Sequence, residues 1–139
     1  MKRFDTWTMP EIEDGVQTRW GWIVKCPENL TLGRYVDIGA FTFIGAHDGV
    51  EIRNNCQRGG GCKIYSHSTI DNRWGPVIIK EYAKVGANSV VLPDVIIGEN
   101  ATVGALSLVA AGTMIPANEI WAGVPAKKIG SVANVSTVL

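Results

Sequence analysis

Residues 77 to 115 read VIIKEYAKVGANSVVLPDVIIGENATVGALSLVAAGTMI, a stretch in which an aliphatic residue returns at every sixth position. The same six-residue phase extends towards the N-terminus with two interruptions. Fourteen positions share it: Leu32, Ile38, Ile44, Ile52, Arg58, Ile64, Ile70, Ile79, Val85, Val91, Ile97, Val103, Val109 and Ile115. All of them except Arg58 are aliphatic. An internal repeat of this kind indicates one structural unit that is stacked many times.

A second register of small or aliphatic residues lies two positions before the first. It comprises Leu30, Val36, Thr42, Val50, Cys56, Cys62, Ser68, Val77, Ala83, Ser89, Val95, Ala101, Ser107 and Thr113. Residues two apart on a strand share a face, so we expect both registers to point inward. Glycine often follows the aliphatic residue, where the missing Cβ suits a tight corner. Three corners close one coil, and the repeat therefore predicts an all-β fold, a parallel β-helix of about five coils.

Composition excludes several classes of protein. Thirteen basic and thirteen acidic residues balance, which argues against binding to nucleic acid or to an anionic membrane surface. Three cysteines without CxxC spacing and two histidines suggest neither a disulfide framework nor a metal site. No run of about 18 apolar residues occurs, and the N-terminus is charged rather than apolar. We expect a cytoplasmic protein of one domain, without metal or stable membrane insertion.

The repeat changes phase by two residues between Ile44 and Ile52 and by three between Ile70 and Ile79, which predicts two bulging loops. Functional residues often lie on such loops. Residues of equal phase one coil apart stack at about 4.8 Å. Counting three residues past the aliphatic position predicts one column: His47, His67, Asn88 and Leu106. His47 leaves this column if the two extra residues precede it.

His67 is the candidate general base, because a histidine can take a proton from a hydroxyl that attacks a thioester. A polar neighbour such as Asn88 would fix its tautomer. The alternative is that His67 is a solvated corner residue.

Polar side chains near His67 are candidates for substrate binding. Arg58, at an inward position, is either a clamp for a substrate phosphate or carboxylate, or pairs with an acidic neighbour or at a chain contact. The following loop provides a polar and aromatic lip that suits a sugar: Asp71, Asn72, Arg73 and Trp74. Trp74 fits an interface equally well.

The segment from Ile64 to Gly130 resembles hexapeptide-repeat sugar O-acetyltransferases of the maltose and galactoside type, and bacterial surface-polysaccharide acetyltransferases. The resemblance implies a left-handed coil and acetyl-CoA as co-substrate. It also implies that the histidine just ahead of the loop, His67, is the base, with His47 as second choice. The usual flanking residues are absent here, and the loop is shorter.

The closing stretch AGVPAKKIG resembles the end of these enzymes, where a basic residue lies beside the CoA phosphates; a solvated basic end is the alternative. The resemblance gives the following candidates for the donor site: Gly86, Ala87, Gly104, Ala105, Lys127 and Lys128. Trp121 either stacks on adenine or caps the last coil. The predicted boundaries are a lead-in at 1–29, the β-helix at 30–116 and a donor-site turn and tail at 117–139.

The resemblance further implies a homotrimer with active sites between chains. The predicted activity is transfer of an acetyl group to a sugar hydroxyl, or to a nucleotide-linked sugar or amino sugar, in surface-polysaccharide (lipopolysaccharide) biosynthesis. Two alternatives stay open. A non-catalytic hexapeptide scaffold would need no base, and a γ-type carbonic anhydrase would need three histidines for zinc where this chain has two.

Overall fold

The computed structural model describes residues 6–132, and three stacked parallel sheets form the faces of a prism. Face A comprises β1 (Ile23–Lys25), β4 (Phe43–Gly45), β7 (Lys63–Tyr65), β12 (Val90–Val91) and β15 (Leu108–Val109). Face B comprises β2 (Leu30–Leu32), β5 (Val50–Ile52), β10 (Val77–Ile79), β13 (Ile96–Ile97) and β16 (Met114–Ile115). The chain visits the three faces in turn, and this confirms the predicted all-β parallel β-helix of about five coils.

Face C comprises β3 (Asp37–Ile38), β6 (Gln57–Arg58), β11 (Lys84–Val85), β14 (Thr102–Val103) and β17 (Glu119–Gly123). The final strand β18 (Ala126–Ser131) pairs antiparallel with β17. A 3₁₀ helix (Pro27–Asn29) and a hairpin of β8 (His67–Ser68) and β9 (Arg73–Trp74) lie at the corner between faces A and B. No helix within residues 6–132 is long and apolar enough to cross a membrane.

The interior is a stack of branched aliphatic side chains. Along face A, Ile44, Ile64, Val91 and Val109 lie one above another and are completely buried. Burying each such side chain stabilises the fold by about 1.5–3 kcal/mol. The six-residue phase is therefore a consequence of three faces per coil, each contributing two inward positions.

Small polar side chains of the second register form hydrogen bonds inside the corner between faces C and A. Thr42 donates to the Gly59 carbonyl at 3.4 Å, Cys62 to the Gly86 carbonyl at 3.2 Å and Ser89 to the Gly104 carbonyl at 3.0 Å. Each bond crosses from one coil to the next. These small residues satisfy buried carbonyls and keep the corner in register.

Ile70 does not occupy an inward position, which corrects the prediction from the repeat. Its side chain is 98% exposed, at the tip of the β8–β9 hairpin. Lys63 on β7 pairs with Val90 on β12, so this coil takes 27 residues, against 18 for the next coil. The second insertion is thus nine residues long rather than three.

Both ends of the coil stack extend beyond the predicted boundaries. β1 pairs with β4, so face A begins at Ile23, and Trp22 beside it is only 3% exposed. At the other end β17 pairs with β14, and Trp121 packs against the core. Among the described residues, the two tryptophans therefore lie in the first and the last coil of the prism.

Candidate active site

The two histidines are neighbours at the corner between faces A and B. β4 and β7 are adjacent strands, with Gly45 opposite Tyr65, and each histidine follows its strand by two residues. Their ring centroids are 5.9 Å apart and their planes meet at 77°. His47 is exposed and His67 half-buried. The sequence prediction that stacked coils bring these two rings together is confirmed.

Ser66 fixes the backbone between the two histidines. Its hydroxyl is completely buried, donates to the Gly45 carbonyl at 2.7 Å and accepts a bond from the Asp48 amide at 2.9 Å. The His47 carbonyl accepts a bond from the Asn29 side chain at 3.2 Å. Hydrogen bonds therefore connect the corner that carries both imidazoles to the preceding coil, and connect the two coils that form this corner.

The predicted polar lip lies on the β8–β9 hairpin directly beside His67. The imidazole of His67 stacks on Trp74, with centroids 3.5 Å apart and planes 13° apart. Trp74 Nε1 donates to Asn72 Oδ1 at 3.2 Å. Asp71 and Arg73 form an exposed ion pair at 3.8 Å, which contributes little to stability.

Asn88 does not lie in the column of the histidines, and the prediction that placed it there was wrong. The backbone amide of Asn88 donates to the Gly60 carbonyl at 2.9 Å, and the backbone amide of Leu106 donates to the Ala87 carbonyl. Asn88 and Leu106 thus belong to the corner between faces C and A. The prediction failed because it allowed for only three of the nine inserted residues. Since Asn88 lies at a different corner, it cannot orient His67 within one chain.

Arg58 points into the prism, and the substrate clamp proposed for it is not possible in this position. The residue is 3% exposed, and none of its side-chain nitrogens has a hydrogen-bond partner. Burial lowers the pKa of Arg58 to about 10, although the nearby Cys62 and Cys56 act in the opposite direction. Within residues 6–132 no acidic side chain pairs with the guanidinium, so the predicted acidic neighbour is also wrong.

A groove of about 410 Å³ runs along face C beside the corner with face A. One edge is a column of glycines, Gly59, Gly86 and Gly104, on successive coils. A Cβ on Gly59 or Gly86 would come within 3.0 Å of backbone on the next coil. The outward side chains Gln57, Lys84 and Thr102 line the other side.

Among residues 6–132, two backbone amides beside this groove have no carbonyl partner. Within the described chain, neither the Ala87 amide nor the Ala105 amide donates to a carbonyl. Both residues follow a glycine of the column, and Ala105 is exposed. An extended ligand that carries amide groups could pair with these positions one coil at a time.

The two C-terminal lysines have different environments. Lys128 forms an ion pair with Glu119 at 3.2 Å, and Glu119 also accepts a bond from Trp121 Nε1 at 3.0 Å. Lys127 pairs with Ala122, which stacks beneath Gly104, because a Cβ on Gly104 would lie 3.0 Å from the Ala122 Cβ. Directly paired residues of an antiparallel ladder project to the same side. Lys127 therefore lies at the end of the glycine column.

Residues 76–117 match the family described as bacterial transferase hexapeptide, six repeats. Residues 76–117 therefore carry the repeat that this family model describes. No curated protein matches this sequence.

Several solved structures are similar to this chain. One is a variant of AntD, an N-acyltransferase from Bacillus cereus in complex with dTDP and coenzyme A, at 27% identity and TM-score 0.69, covering 84% of this chain and 68% of that chain. Another is a maltose O-acetyltransferase from Clostridium difficile, at 21% identity and TM-score 0.73, covering 82% and 65%.

A third is a hexapeptide-repeat acetyltransferase from Vibrio cholerae complexed with acetyl coenzyme A, at 19% identity and TM-score 0.73, covering 81% and 66%. The likeness to the last two is a likeness of fold. This chain spans about two thirds of the length of the three proteins.

Sequence reasoning missed part of this hexapeptide-repeat site. Ser66 at the histidine corner was not singled out, nor were Gln57, Lys84 and Thr102 along the groove. The last three occupy equivalent outward positions, each just before an inward aliphatic or Arg58 position. Comparing outward residues of the same phase would have identified them as one surface.

Within residues 6–132, no group of three or more His, Cys, Asp or Glu is arranged to hold a metal ion.

Proposed function

We propose that this protein transfers an acetyl group from acetyl-CoA to a sugar hydroxyl, with His67 as general base. The observation that carries the proposal is the groove on face C, whose glycine column leads to Lys127. Pantetheine is an extended chain with two amide groups, and the free amides of Ala87 and Ala105 match such a ligand. Gly86 and Gly104, which precede these alanines, line the groove that receives it, and Lys127 then meets the CoA phosphates.

His67 serves the acceptor side of the reaction. Its imidazole takes the proton of the acceptor hydroxyl as that oxygen forms a bond to the acetyl carbonyl carbon. The carbon–sulfur bond breaks, and the proton passes from the imidazolium to the sulfur of CoA. His47, the neighbouring ring, is the second choice for this role.

The active site is proposed to need two copies of the chain. Within one chain the donor groove lies at the edge of face A that meets face C, and His67 lies at the opposite edge. Strand β7 (Lys63–Tyr65) separates them. A thioester bound in one groove therefore reaches a His67 from a neighbouring copy. We propose a homotrimer with parallel prisms, which gives three such shared sites.

A nucleotide-linked amino sugar is the second candidate acceptor. The observation that favours it is the 27% identity to an N-acyltransferase whose structure holds dTDP and coenzyme A. An amine has a usable lone pair once deprotonated and needs less help from a base, so His67 argues for a hydroxyl instead. We place either reaction in surface-polysaccharide biosynthesis in the cytoplasm, where acetyl-CoA is available.

Release of the CoA thiol by purified protein tests this function. The acceptor panel consists of free hexoses, nucleotide sugars and nucleotide amino sugars, with acetyl-CoA as donor. The proposal predicts turnover with at least one hydroxyl acceptor and a product that hydroxylamine cleaves, since hydroxylamine cleaves esters and leaves amides intact.

A hydroxylamine-resistant product from an amino sugar would support N-acetylation instead. Absence of both turnover and CoA binding would contradict the proposal and favour the scaffold alternative.

The variant Lys84→Ala tests whether the groove binds the donor. Because Lys84 lines the groove but not the histidine corner, the substitution should raise KM for acetyl-CoA and leave KM for the acceptor unchanged.

A further inference from the structure

The contact between His67 and Trp74 is a true ring stack rather than simple proximity. The centroids lie 3.5 Å apart, whereas the four other ring pairs found within residues 6–132 are separated by 5.8 to 6.3 Å. The two residues are direct partners in the β8–β9 ladder. Backbone pairing therefore places the indole over one face of the imidazole.

The base of the hairpin is held on both sides, next to Trp74. The Gly75 amide donates to the Ser66 carbonyl at 3.0 Å, and the Asp94 amide donates to the Gly75 carbonyl at 3.2 Å. A Cβ on Gly75 would lie only 2.6 Å from the Asp94 Cβ, so the chain packs closely here. Because Trp74 adjoins this base and not the exposed tip, the coil itself determines where its indole lies.

The stack affects what Trp74 can do for an acceptor sugar. One face of the indole is covered by His67, so a sugar ring could stack only on the outer face, about 3.5–4 Å beyond the indole. A general base must come within about 2.6–3.2 Å of the hydroxyl whose proton it takes. With the indole between them, His67 cannot reach a sugar bound in that way.

We propose that Trp74 is a positioning residue for His67 and not a platform for the sugar that reacts. This inference rests on the proposed function of His67 as base. Both imidazole nitrogens lie on the ring edge, so the stack closes one face without blocking proton transfer. The plane of the His47 ring makes an angle of 77° with that of His67. The acceptor sugar presents its hydroxyl to the edge of the His67 imidazole that remains open.

Steady-state kinetics separates positioning from sugar binding. For Trp74→Leu we expect kcat to fall roughly tenfold, less than the 10²- to 10⁴-fold contribution of a general base, with the acceptor KM changed by less than about twofold. Trp74→Phe, which keeps a stacking ring, should restore most of kcat. Tyr82→Leu is the matched control, since Tyr82 and Trp74 are both 54% exposed. An unchanged kcat with a raised acceptor KM overturns the proposal.

Proton NMR of the free protein gives a second readout that needs no acceptor. The chain has only two histidines, and a His47→Gln variant assigns their resonances. Stacking predicts that the ring protons of His67 are shifted upfield in the wild type and in Trp74→Phe, and return to ordinary positions in Trp74→Leu. Absence of the upfield shift in the wild type overturns the proposal.

The two hypotheses fail in different ways. If His67→Ala keeps full turnover, the proposed base is wrong, whatever the Trp74 variants do. If His67→Ala is inactive while Trp74→Leu keeps its full kcat, the proposed function stands and only the positioning role is overturned.

Discussion

Lys128 is held by Glu119, with Nζ 3.2 Å from Oε2, whereas Lys127 on the same strand lies opposite Ala122 at the end of the glycine column. Sequence reasoning treated the two lysines as one basic pair. In the hairpin of β17 and β18 the two side chains project to opposite sides, because they are neighbours on one strand. Lys128 forms an ion pair at the end of the prism, and Lys127 is the lysine that the proposed function assigns to the CoA phosphates.

Replacing Lys127 with Ala should weaken the binding of acetyl-CoA. We expect KM for acetyl-CoA to rise about tenfold, which corresponds to about 1.4 kcal/mol, with kcat nearly unchanged. The effect should shrink at high salt, since exposed charges are screened. Lys128→Ala is the control and should leave this KM within about twofold. Equal effects of the two substitutions would refute the separation of roles.

Glu119 should make stability depend on pH in the acidic range. The bond from Trp121 lowers the pKa of Glu119 below its ordinary 4.5, Lys128 acts in the same direction, and burial opposes both. Because the folded pKa is the lower one, this stabilisation is present above pH 4.5 and is lost as the pH falls through the folded pKa. Urea unfolding of Glu119→Gln should therefore vary less with pH below 4.5 than unfolding of the wild type. Parallel pH profiles would disprove this, and Glu28→Gln serves as an exposed control.

Gly86→Ala should destabilise the corner between faces C and A. The added Cβ would lie closer than 3.0 Å to the Ala105 amide nitrogen, and backbone cannot move aside as a flexible side chain can. We expect a loss of roughly 1–3 kcal/mol in the free energy of unfolding. Gly130→Ala is the control, because nothing lies within 4 Å of its position, and it should change stability by less than about 0.5 kcal/mol. Equal losses would show that steric contact is not the cause.

Arg58→Met should stabilise the protein. A buried guanidinium without partners carries an uncompensated desolvation cost, and replacing a buried charge by an apolar side chain of similar volume is neutral or stabilising by about 1–4 kcal/mol. Chemical unfolding measures the difference. Arg53→Met, which removes partly exposed ion pairs with Glu51 at 2.8 Å and with Glu81 at 3.7 Å, is expected to cost less than about 1 kcal/mol. A large loss for Arg58→Met would show that the buried charge has a partner in solution.

The fold could be predicted from the sequence because a coil repeats one physical requirement many times. Thirteen of the fourteen positions in the first register were aliphatic, and a single misleading residue could not hide such a period. The misleading residue was Ile70, one of the thirteen aliphatic residues, whereas Arg58, the exception in type, does point inward. Ile70 keeps the six-residue phase but lies at the tip of a hairpin, since periodicity records spacing and not whether the chain has left the coil.

The site was harder to predict than the fold because its geometry depends on insertion lengths. His47 and His67 were paired correctly, since the two-residue insertion between them leaves both at the same distance from their strands. Asn88 was misplaced because the nine-residue insertion looked like three. The stack of Trp74 on His67 follows from hairpin pairing, which the six-residue repeat does not encode.

The most direct test of the account compares kcat/KM of His67→Gln and His47→Gln with that of the wild type, using the best acceptor from the panel. Glutamine keeps a polar side chain at the corner but cannot act as the base. The account predicts that kcat/KM falls roughly 10²- to 10⁴-fold in His67→Gln and less than about tenfold in His47→Gln. A His67→Gln enzyme that turns over at the wild-type rate would contradict it.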